Sequence, residues 1–294
     1  MNPFSFLTFN SFAILGWTTR LRLLTLAREL NDLDLELICL QEIQTHMARR
    51  VITTALEDYD HIAYVPHLHC PRGGLITVAR SPFVEEHFVR YEEQGRLYTP
   101  TVMDWILRKG VLITRTLWHG VPIVVMNTHL IANYTANWSQ TAGAAQLQIN
   151  QLRQLAALVR SQPANAVVLV AGDFNVPRGS WLYEEFLQES GLRDTLADDD
   201  RATYRPLPGV PSYYALPIDF VFVRAPKLPG FHIESQLAFS DKVELMDSRQ
   251  GYLSDHLAIH TTLHWDRPHI EHDTQTPHPT AHPIPHPTAH RTPS

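Results

Sequence analysis

The chain has 294 residues, of which 44% are hydrophobic and 18% are charged, a composition typical of a globular rather than a disordered protein. Its formal net charge of −6 lacks the basic excess that marks a dedicated duplex-binding protein. No apolar run reaches the ~18 residues expected of a membrane-spanning helix.

Predicted strands and helices interleave along the first 266 residues, which indicates an α/β fold. Apolar residues at helical spacing predict helices near 19–31, 45–57, 139–160 and 181–189. β-like runs predict strands at 4–10, 35–41, 61–66, 74–80, 83–90, 110–118, 121–128, 167–171, 218–223, 232–239 and 256–264. Because the run 167–171 is entirely apolar, we expect that strand to be buried on both faces.

The last 28 residues differ from the rest of the chain. They are rich in histidine and proline, and the pentapeptide at 278–282 is repeated at 286–290. Such a segment has few apolar groups to bury, so it cannot offset the entropy cost of ordering. We therefore predict a single domain over residues 1–266 and a disordered His/Pro-rich tail over 267–294. Adventitious metal affinity of a solvated tail is the simplest reading of its histidines.

The two cysteines do not suggest disulfides. Cys39 lies in an apolar run, and Cys70 lies in a loop-like stretch at 67–71 whose spacing matches no zinc pattern. The apolar first 17 residues lack the basic n-region and the small-residue cleavage site of a signal peptide, so we interpret them as containing a first core strand. We expect a cytoplasmic protein, with peripheral contact to membranes left open.

Chemistry-bearing residues recur in six short strings, each in or at the end of a β-like run. The strings are Thr8-Phe9-Asn10, Leu40-Gln41-Glu42, Asn127-Thr128-His129-Leu130, Gly172-Asp173-Phe174-Asn175, Ile218-Asp219-Phe220 and Ser254-Asp255-His256. Together they supply the carboxylates, carboxamides and imidazoles that hold Mg²⁺ and move protons around a phosphate.

Strand periodicity gives some of these side chains a direction. Asp173 and Asn175 should point the same way, as should Asn127 and His129, whereas Asp219 should point away from Phe220. Structural readings exist for single residues: Asp173 could cap a turn, and Glu42 could be a first-turn helix carboxylate. A carboxylate at the end of a buried strand nevertheless indicates an ion pair or a bound metal ion.

In order along the chain, these strings resemble those of the endonuclease/exonuclease/phosphatase superfamily, over roughly residues 4 to 265. The resemblance implies a deoxyribonuclease I-like four-layer sandwich, in which two face-packed mixed β-sheets are flanked by helices. It implies Mg²⁺, with Mn²⁺ as a substitute, near Asn10, Glu42 and Asp255. It also implies catalytic roles for His129, Asp173, Asn175, Asp219 and His256, with Asp219 pairing to His256.

Three further stretches resemble neutral sphingomyelinases. The segment 104–110 reads D-W-x-x-x-K-G, 128–134 reads T-H-L-x-A-x-Y, and 191–194 reads G-L-x-D. The first adds Asp104 and Lys109 to the candidate site residues, although an exposed loop with one charge of each sign would look the same.

The resemblance implies a metal-dependent hydrolase that cleaves sphingomyelin into ceramide and phosphocholine. The expected partner is a phospholipid at a membrane surface, met by a monomer without a transmembrane anchor, and the acidic balance disfavours nucleic acid. Alternatives are a DNA endonuclease or exonuclease, a lipid or inositol phosphatase of the same superfamily, and a non-catalytic binding module on this scaffold.

Overall fold

The computed structural model describes residues 3–14, 16, 18–95 and 106–266. Its helices are α1 (Thr19–Asn31), α2 (His46–Ala55), α3 (Gly143–Arg160) and α4 (Trp181–Ser190). Its strands are β1 (Phe4–Ala13), β2 (Leu37–Ile43), β3 (His61–Ala63), β4 (Pro66–His67), β5 (Cys70–Pro71), β6 (Ile76–Ala79), β7 (Glu85–Arg90), β8 (Gly110–Trp118), β9 (Val121–His129), β10 (Val167–Asp173), β11 (Arg193–Asp194), β12 (Asp219–Arg224), β13 (His232–Ala238), β14 (Val243–Glu244), β15 (Gln250–Gly251) and β16 (Ala258–His264).

Two six-stranded mixed sheets form the centre of the molecule. The first has the order β13-β16-β1-β2-β6-β3, and the second has the order β11-β12-β10-β9-β8-β7. In each sheet one central pair is parallel, β1 with β2 and β9 with β10, while the pairs around it are antiparallel.

The hydrophobic clusters show how four layers form. One cluster lies between the sheets, a second lies under α1 and α2, and a third lies under α3 and α4. Strand β10 serves two of them: Val168 and Val170 face α3 and α4, whereas Val167 and Leu169 face the other sheet. The predicted sandwich, and the burial of β10 on both faces, are confirmed.

Side-chain caps begin two of the four helices named above, α2 and α4. The Thr45 hydroxyl accepts from the Ala48 N–H at 2.9 Å and begins α2, and Ser180 accepts from Tyr183 at the start of α4. Gly191 ends α4 in the left-handed conformation, with φ of 68°.

Several predicted boundaries shift. The expected strand at 61–66 ends at Ala63, the third helix begins at Gly143 rather than near 139, and the last strand begins at Ala258 rather than 256. The stretch around Cys70 was expected to be a loop, but Cys70 lies in the short strand β5 and is buried.

The predicted tail, residues 267–294, lies outside the described residues, as does Asp104. Within the described part of the chain, no helix is both long and apolar enough to cross a bilayer.

Candidate active site

The candidate site lies where strands of both sheets end, on the faces that the sheets turn toward each other. Asn10 alternates with Phe6 toward the inter-sheet cluster, and Asp173 does so with Leu169. In the second sheet the register places Asp173 directly between His129 on β9 and Asp219 on β12. The period-two pattern thus delivers three polar side chains side by side across neighbouring strands.

The row of three polar side chains depends on close backbone packing at Gly172. Gly172 has φ of 142°, and a Cβ there would lie 1.9 Å from the Thr128 carbonyl oxygen. Only glycine lets β10 approach β9 this closely just before Asp173.

Asn10 connects the two sheets. Its Nδ2 donates to Asp173 Oδ2 at 2.9 Å and to Glu42 Oε1 at 3.2 Å, and it lies 3.4 Å from His256 Nε2. The Asn10 Oδ1 accepts from the Phe12 backbone N–H. The carboxamide therefore orients the carboxylates of Glu42 and Asp173 toward one another.

A bulge between β1 and β2 aims the Glu42 carboxylate. The register shifts between Asn10 and Ala13, and Phe12 and Glu42 both have positive φ, 46° and 57°. Such backbone costs of order 1–3 kcal/mol per residue and is concentrated at functional sites. The sequence placed Glu42 at the end of a strand, but it could not reveal this strained turn.

His256 pairs with Asp219. The His256 Nδ1 lies 2.8 Å from Asp219 Oδ2, and its Nε2 lies 3.7 Å from Asp173 Oδ2. Burial lowers the pKa of His256, but the carboxylates of Asp219 and Asp173 outweigh it and raise the pKa to about 10. His256 is therefore the protonated imidazole of the site.

His129 has the opposite electrostatic environment. Its Nε2 lies 3.3 Å from Asp173 Oδ2, and its Nδ1 has no hydrogen-bond partner among the described residues. Burial, with Lys109 and His256 nearby, holds the pKa of His129 well below its usual range, so the ring is neutral at pH 7.

Asp173 is the point on which these groups converge. Burial raises the pKa of its carboxyl to about 7, although the His256 charge opposes the rise. Its Oδ1 accepts from the Asn175 backbone N–H at 2.9 Å, while Oδ2 faces Asn10 and both imidazoles. A carboxyl with a pKa near neutrality is suited to accept a proton.

Lys109 and Asn175 share one carbonyl. The Lys109 Nζ donates to the Leu130 oxygen at 2.6 Å, and the Asn175 Nδ2 donates to the same oxygen at 3.2 Å. Lys109 is only 1% exposed, and its charge reaches Glu42 and Asp173, so it is not a surface-loop lysine. Asn175 has φ of 51°, so the expected strand alternation with Asp173 ends before it.

Asp255 lies close enough to Glu42 to act on its carboxylate electrostatically. Its Oδ1 accepts from the Ser254 hydroxyl, and burial raises its carboxyl pKa, as burial also raises that of Glu42. The buried Arg22 guanidinium acts on both carboxylates and donates to the carbonyls of Ser11, Phe12 and Leu253.

These residues fit a hard metal ion. Carboxylate oxygens of Glu42 and Asp173, the atoms that such an ion binds, lie within 4.8 Å of one another and of the His129 ring. The ligand atoms of Asp173, Asp219 and His256 are equally close, but the protonated His256 imidazole has no lone pair for a metal. Burial penalises the ionised forms of Glu42 and Asp255, and the Asp255 charge adds to the penalty on Glu42. A cation between the carboxylates would relieve that penalty.

Sequence reasoning missed the segment Thr203–Arg205. The Thr203 hydroxyl accepts from the backbone N–H groups of Ile218 and Asp219, each at 3.0 Å, and the Thr203 carbonyl accepts from Leu257. The Arg205 N–H donates to the Asp255 carbonyl at 2.6 Å. This segment ties the strand that carries Asp219 to the one that follows His256. No motif marks it, because its work is done largely by backbone groups.

Most of the chain matches one known protein family. The family model described as "Endonuclease/Exonuclease/phosphatase family" matches residues 7–256. The chain is 28% identical over 170 residues to an inositol phosphosphingolipids phospholipase C of Saccharomyces cerevisiae, covering 55% of this chain and 34% of that protein. It is 29% identical over 121 residues to a sphingomyelinase C of Leptospira interrogans, covering 39% and 20%. The matches thus span 34% and 20% of these relatives.

Solved structures show the same fold. Sphingomyelinase C from Streptomyces griseocarneus superposes with a TM-score of 0.66 at 20% identity, covering 89% of this chain and 99% of that chain. TDP2 from D. rerio, complexed with single-strand DNA product, superposes with a TM-score of 0.68 at 18% identity and the same coverage.

Proposed function

Because the chain belongs to the endonuclease/exonuclease/phosphatase family, we propose that it is a Mg²⁺-dependent phosphodiesterase that hydrolyses sphingomyelin to ceramide and phosphocholine. One observation carries the phosphodiesterase part of the proposal. Three groups from both sheets converge on a single atom, Asp173 Oδ2: the Asn10 carboxamide and the imidazoles of His129 and His256.

The carboxylates of Glu42 and Asp255 support a metal role for this pair, and Asn10 orients Glu42 through its Nδ2. Mg²⁺ bound there would supply positive charge to a non-bridging phosphoryl oxygen. Oxygen donors of this kind are the ligands that Mg²⁺ takes, and Mn²⁺ accepts the same set.

The protonation states of the other groups indicate which residue makes each proton transfer. Asp173, whose pKa is about 7, accepts a proton from the attacking water as a bond forms between the water oxygen and phosphorus. His256, held protonated by Asp219, gives a proton to the leaving ceramide alkoxide as the P–O bond breaks. The neutral His129 donates a hydrogen bond to the phosphoryl oxygens without adding charge.

Two features support a sphingolipid substrate. Both relatives are named as enzymes that act on sphingolipid phosphodiesters, and the chain carries a net charge of −6 rather than a basic excess. The substrate would be met at a membrane surface. The likeness to TDP2 is a likeness of fold, and DNA cleavage is therefore an outcome to be tested.

A substrate panel tests this function. The purified protein is assayed with Mg²⁺ on sphingomyelin micelles, inositol phospholipids, abasic-site DNA and plasmid DNA, with EDTA and the Asp173→Asn variant as blanks. We expect phosphocholine release that disappears in both blanks. Efficient DNA cleavage without phosphocholine release would overturn the lipid assignment and leave the roles of Glu42 and the histidines in place.

A further inference from the structure

The carboxamide of Asn127 on β9 lies buried between the two sheets. Ile123 and Val125 precede it on the same face of the strand, and both belong to the apolar cluster between the sheets. Asn127 itself is fully buried. A carboxamide in this position has lost its hydration, so it must find hydrogen-bond partners within the protein. Its partners therefore show which parts of the fold it holds together.

The side-chain hydrogen bonds of Asn127 reach the opposite sheet. Its Oδ1 accepts from Gln41 Nε2 on β2 at 2.8 Å. Its Nδ2 donates to the Ile76 carbonyl on β6 at 2.9 Å, and lies 3.3 Å from the Leu40 carbonyl and 3.4 Å from the Thr77 hydroxyl. One side chain of the second sheet is thus bonded to two neighbouring strands of the first.

Thr8, Gln41 and Asn127 form a buried network that lies one strand repeat away from the candidate site. The Gln41 Nε2 donates to the Thr8 hydroxyl at 3.0 Å as well as to Asn127. Asn10 follows Thr8 by two residues on β1, so both side chains point to the same side of the strand. His129 stands in the same relation to Asn127 on β9. Because a strand advances about 3.3 Å per residue, the network lies about 7 Å along the strands from the site, and the two shift together when one sheet moves against the other.

Stability alone does not explain this network. The Gln41 Oε1 is buried and has no hydrogen-bond partner among the described residues, so the core contains an unpaired acceptor. Two apolar side chains of similar size would fill the space without that cost. Apolar packing has no preferred direction, whereas hydrogen bonds are directional. A buried polar pair therefore fixes the offset between two packed elements at a cost in stability, as a buried asparagine does between paired helices.

We propose that Asn127 is a positioning residue, which holds the second sheet at the offset that brings Asp173 within hydrogen-bond distance of Asn10. The Asn10–Asp173 bond is 2.9 Å long and crosses between the sheets, as the bond from Gln41 to Asn127 does one strand repeat away. For its catalytic consequence the inference rests on the proposed function, because it takes Asn10 and Asp173 to act on one phosphodiester. Without the Asn127 bonds one sheet slides on the other, and a displacement of about 1 Å is enough to cost a hundredfold in rate.

The kinetic test uses Asn127→Leu and the double variant Gln41→Leu/Asn127→Leu, with bis(p-nitrophenyl) phosphate as the substrate at saturating Mg²⁺. Asn127→Leu should unfold at a lower temperature, because it removes a hydrogen-bond partner from the buried Gln41. The double variant should regain much of that loss, because both partners are then apolar, and it decides the question where Asn127→Leu does not fold. In both variants kcat should fall about tenfold to a hundredfold with little change in KM. Recovery of kcat together with stability in the double variant would show that Asn127 only stabilises the core, and would overturn the inference.

Ser235→Ala is the matched control. The Ser235 hydroxyl on β13 donates to the Thr195 hydroxyl at 2.8 Å, and so also joins the first sheet to the second. The Thr195 backbone N–H donates to the Val221 carbonyl, and Val221 lies in line with Asn127 across β10. Ser235→Ala should keep its kcat. A fall in kcat equal to that of the double variant would show that any bond between the sheets has this effect, and would overturn a specific role for Asn127.

Crystal structures separate this inference from the proposed function. The distance between Asn10 Nδ2 and Asp173 Oδ2 is measured in metal-free crystals of the wild type, the double variant and Ser235→Ala. We expect it to exceed about 3.5 Å in the double variant and to remain near 2.9 Å in the other two. An unchanged distance in the double variant would overturn the inference, even if kcat falls. If the wild type cleaves no phosphodiester, the proposed function fails, and this distance still decides the role of Asn127.

Discussion

The Nδ1 atom of His256 lies 2.8 Å from the Oδ2 atom of Asp219, and this contact joins the two sheets. Asp219 begins β12 in the second sheet, whereas His256 precedes β16 in the first. The packing of one half of the molecule on the other therefore sets the charge of a single imidazole.

Asp219→Asn should lower kcat by about a hundredfold or more, because the neutral amide no longer stabilises the imidazolium. Asp219 raises the pKa of His256 toward its value of about 10. Activity that requires the protonated ring is lost as pH rises through that pKa, so the variant should lose activity at lower pH than the wild type. A pH profile of kcat measures this, and an unshifted alkaline limb would contradict the assignment.

Glu42→Gln should remove most activity while leaving the fold intact, since the amide loses the charge that attracts Mg²⁺. The Mg²⁺ concentration for half-maximal activity should rise, and direct Mn²⁺ binding should weaken. Glu57→Gln, on an exposed residue, serves as the control. Normal turnover with an unchanged Mg²⁺ requirement would remove Glu42 from the metal site.

Lys109→Ala should lower activity on sphingomyelin and on bis(p-nitrophenyl) phosphate alike. The sequence alone predicts a smaller effect on the generic substrate, because Lys109 lies outside the six strings. Its burial and its charge near Asp173 change that expectation. Lys109→Arg, which keeps the charge, is the matched comparison. A loss confined to sphingomyelin would restore the substrate-organising role.

Truncation after Asp266 should leave the melting temperature and the activity unchanged. The prediction depends on composition, since the His/Pro-rich segment has too few apolar groups to support a core. Thermal unfolding and the sphingomyelin assay are measured on the truncated chain and on the full chain. A drop of several degrees, or a large loss of turnover, would show that residues 267–294 dock on the domain.

Local sequence patterns predicted much of this architecture. The alternation in 218–223 correctly turned Asp219 away from Phe220, and the apolar run ending at Ala171 correctly marked a strand buried on both faces. Those patterns depend on each strand alone, so one sequence is sufficient to read them.

Other features depend on contacts between distant segments, which no local pattern records. The burial of Lys109 follows from its reach to Leu130, and the positive φ of Glu42 follows from the bulge against β1. The place of Tyr204 beside the active site follows from its contact with the ring of His256, 52 positions later in the chain.

Thr203 gives the sharpest test of such a long-range role. Its hydroxyl accepts from the N–H groups of Ile218 and Asp219. Thr203→Val keeps the shape but leaves these buried donors unpaired, which costs about 1–3 kcal/mol of stability. Because one donor belongs to Asp219 itself, we expect kcat to fall about tenfold to a hundredfold with little change in KM.

The Thr203→Ser variant should restore kcat, since it returns the hydroxyl. Thr195→Val is the matched control, because the Thr195 hydroxyl bonds the Val221 carbonyl on the same strand, two residues beyond Asp219. The control should lose stability and keep its kcat. If Thr195→Val and Thr203→Val lower kcat equally, β12 transmits a general loss of order, and Thr203 has no specific part in positioning Asp219.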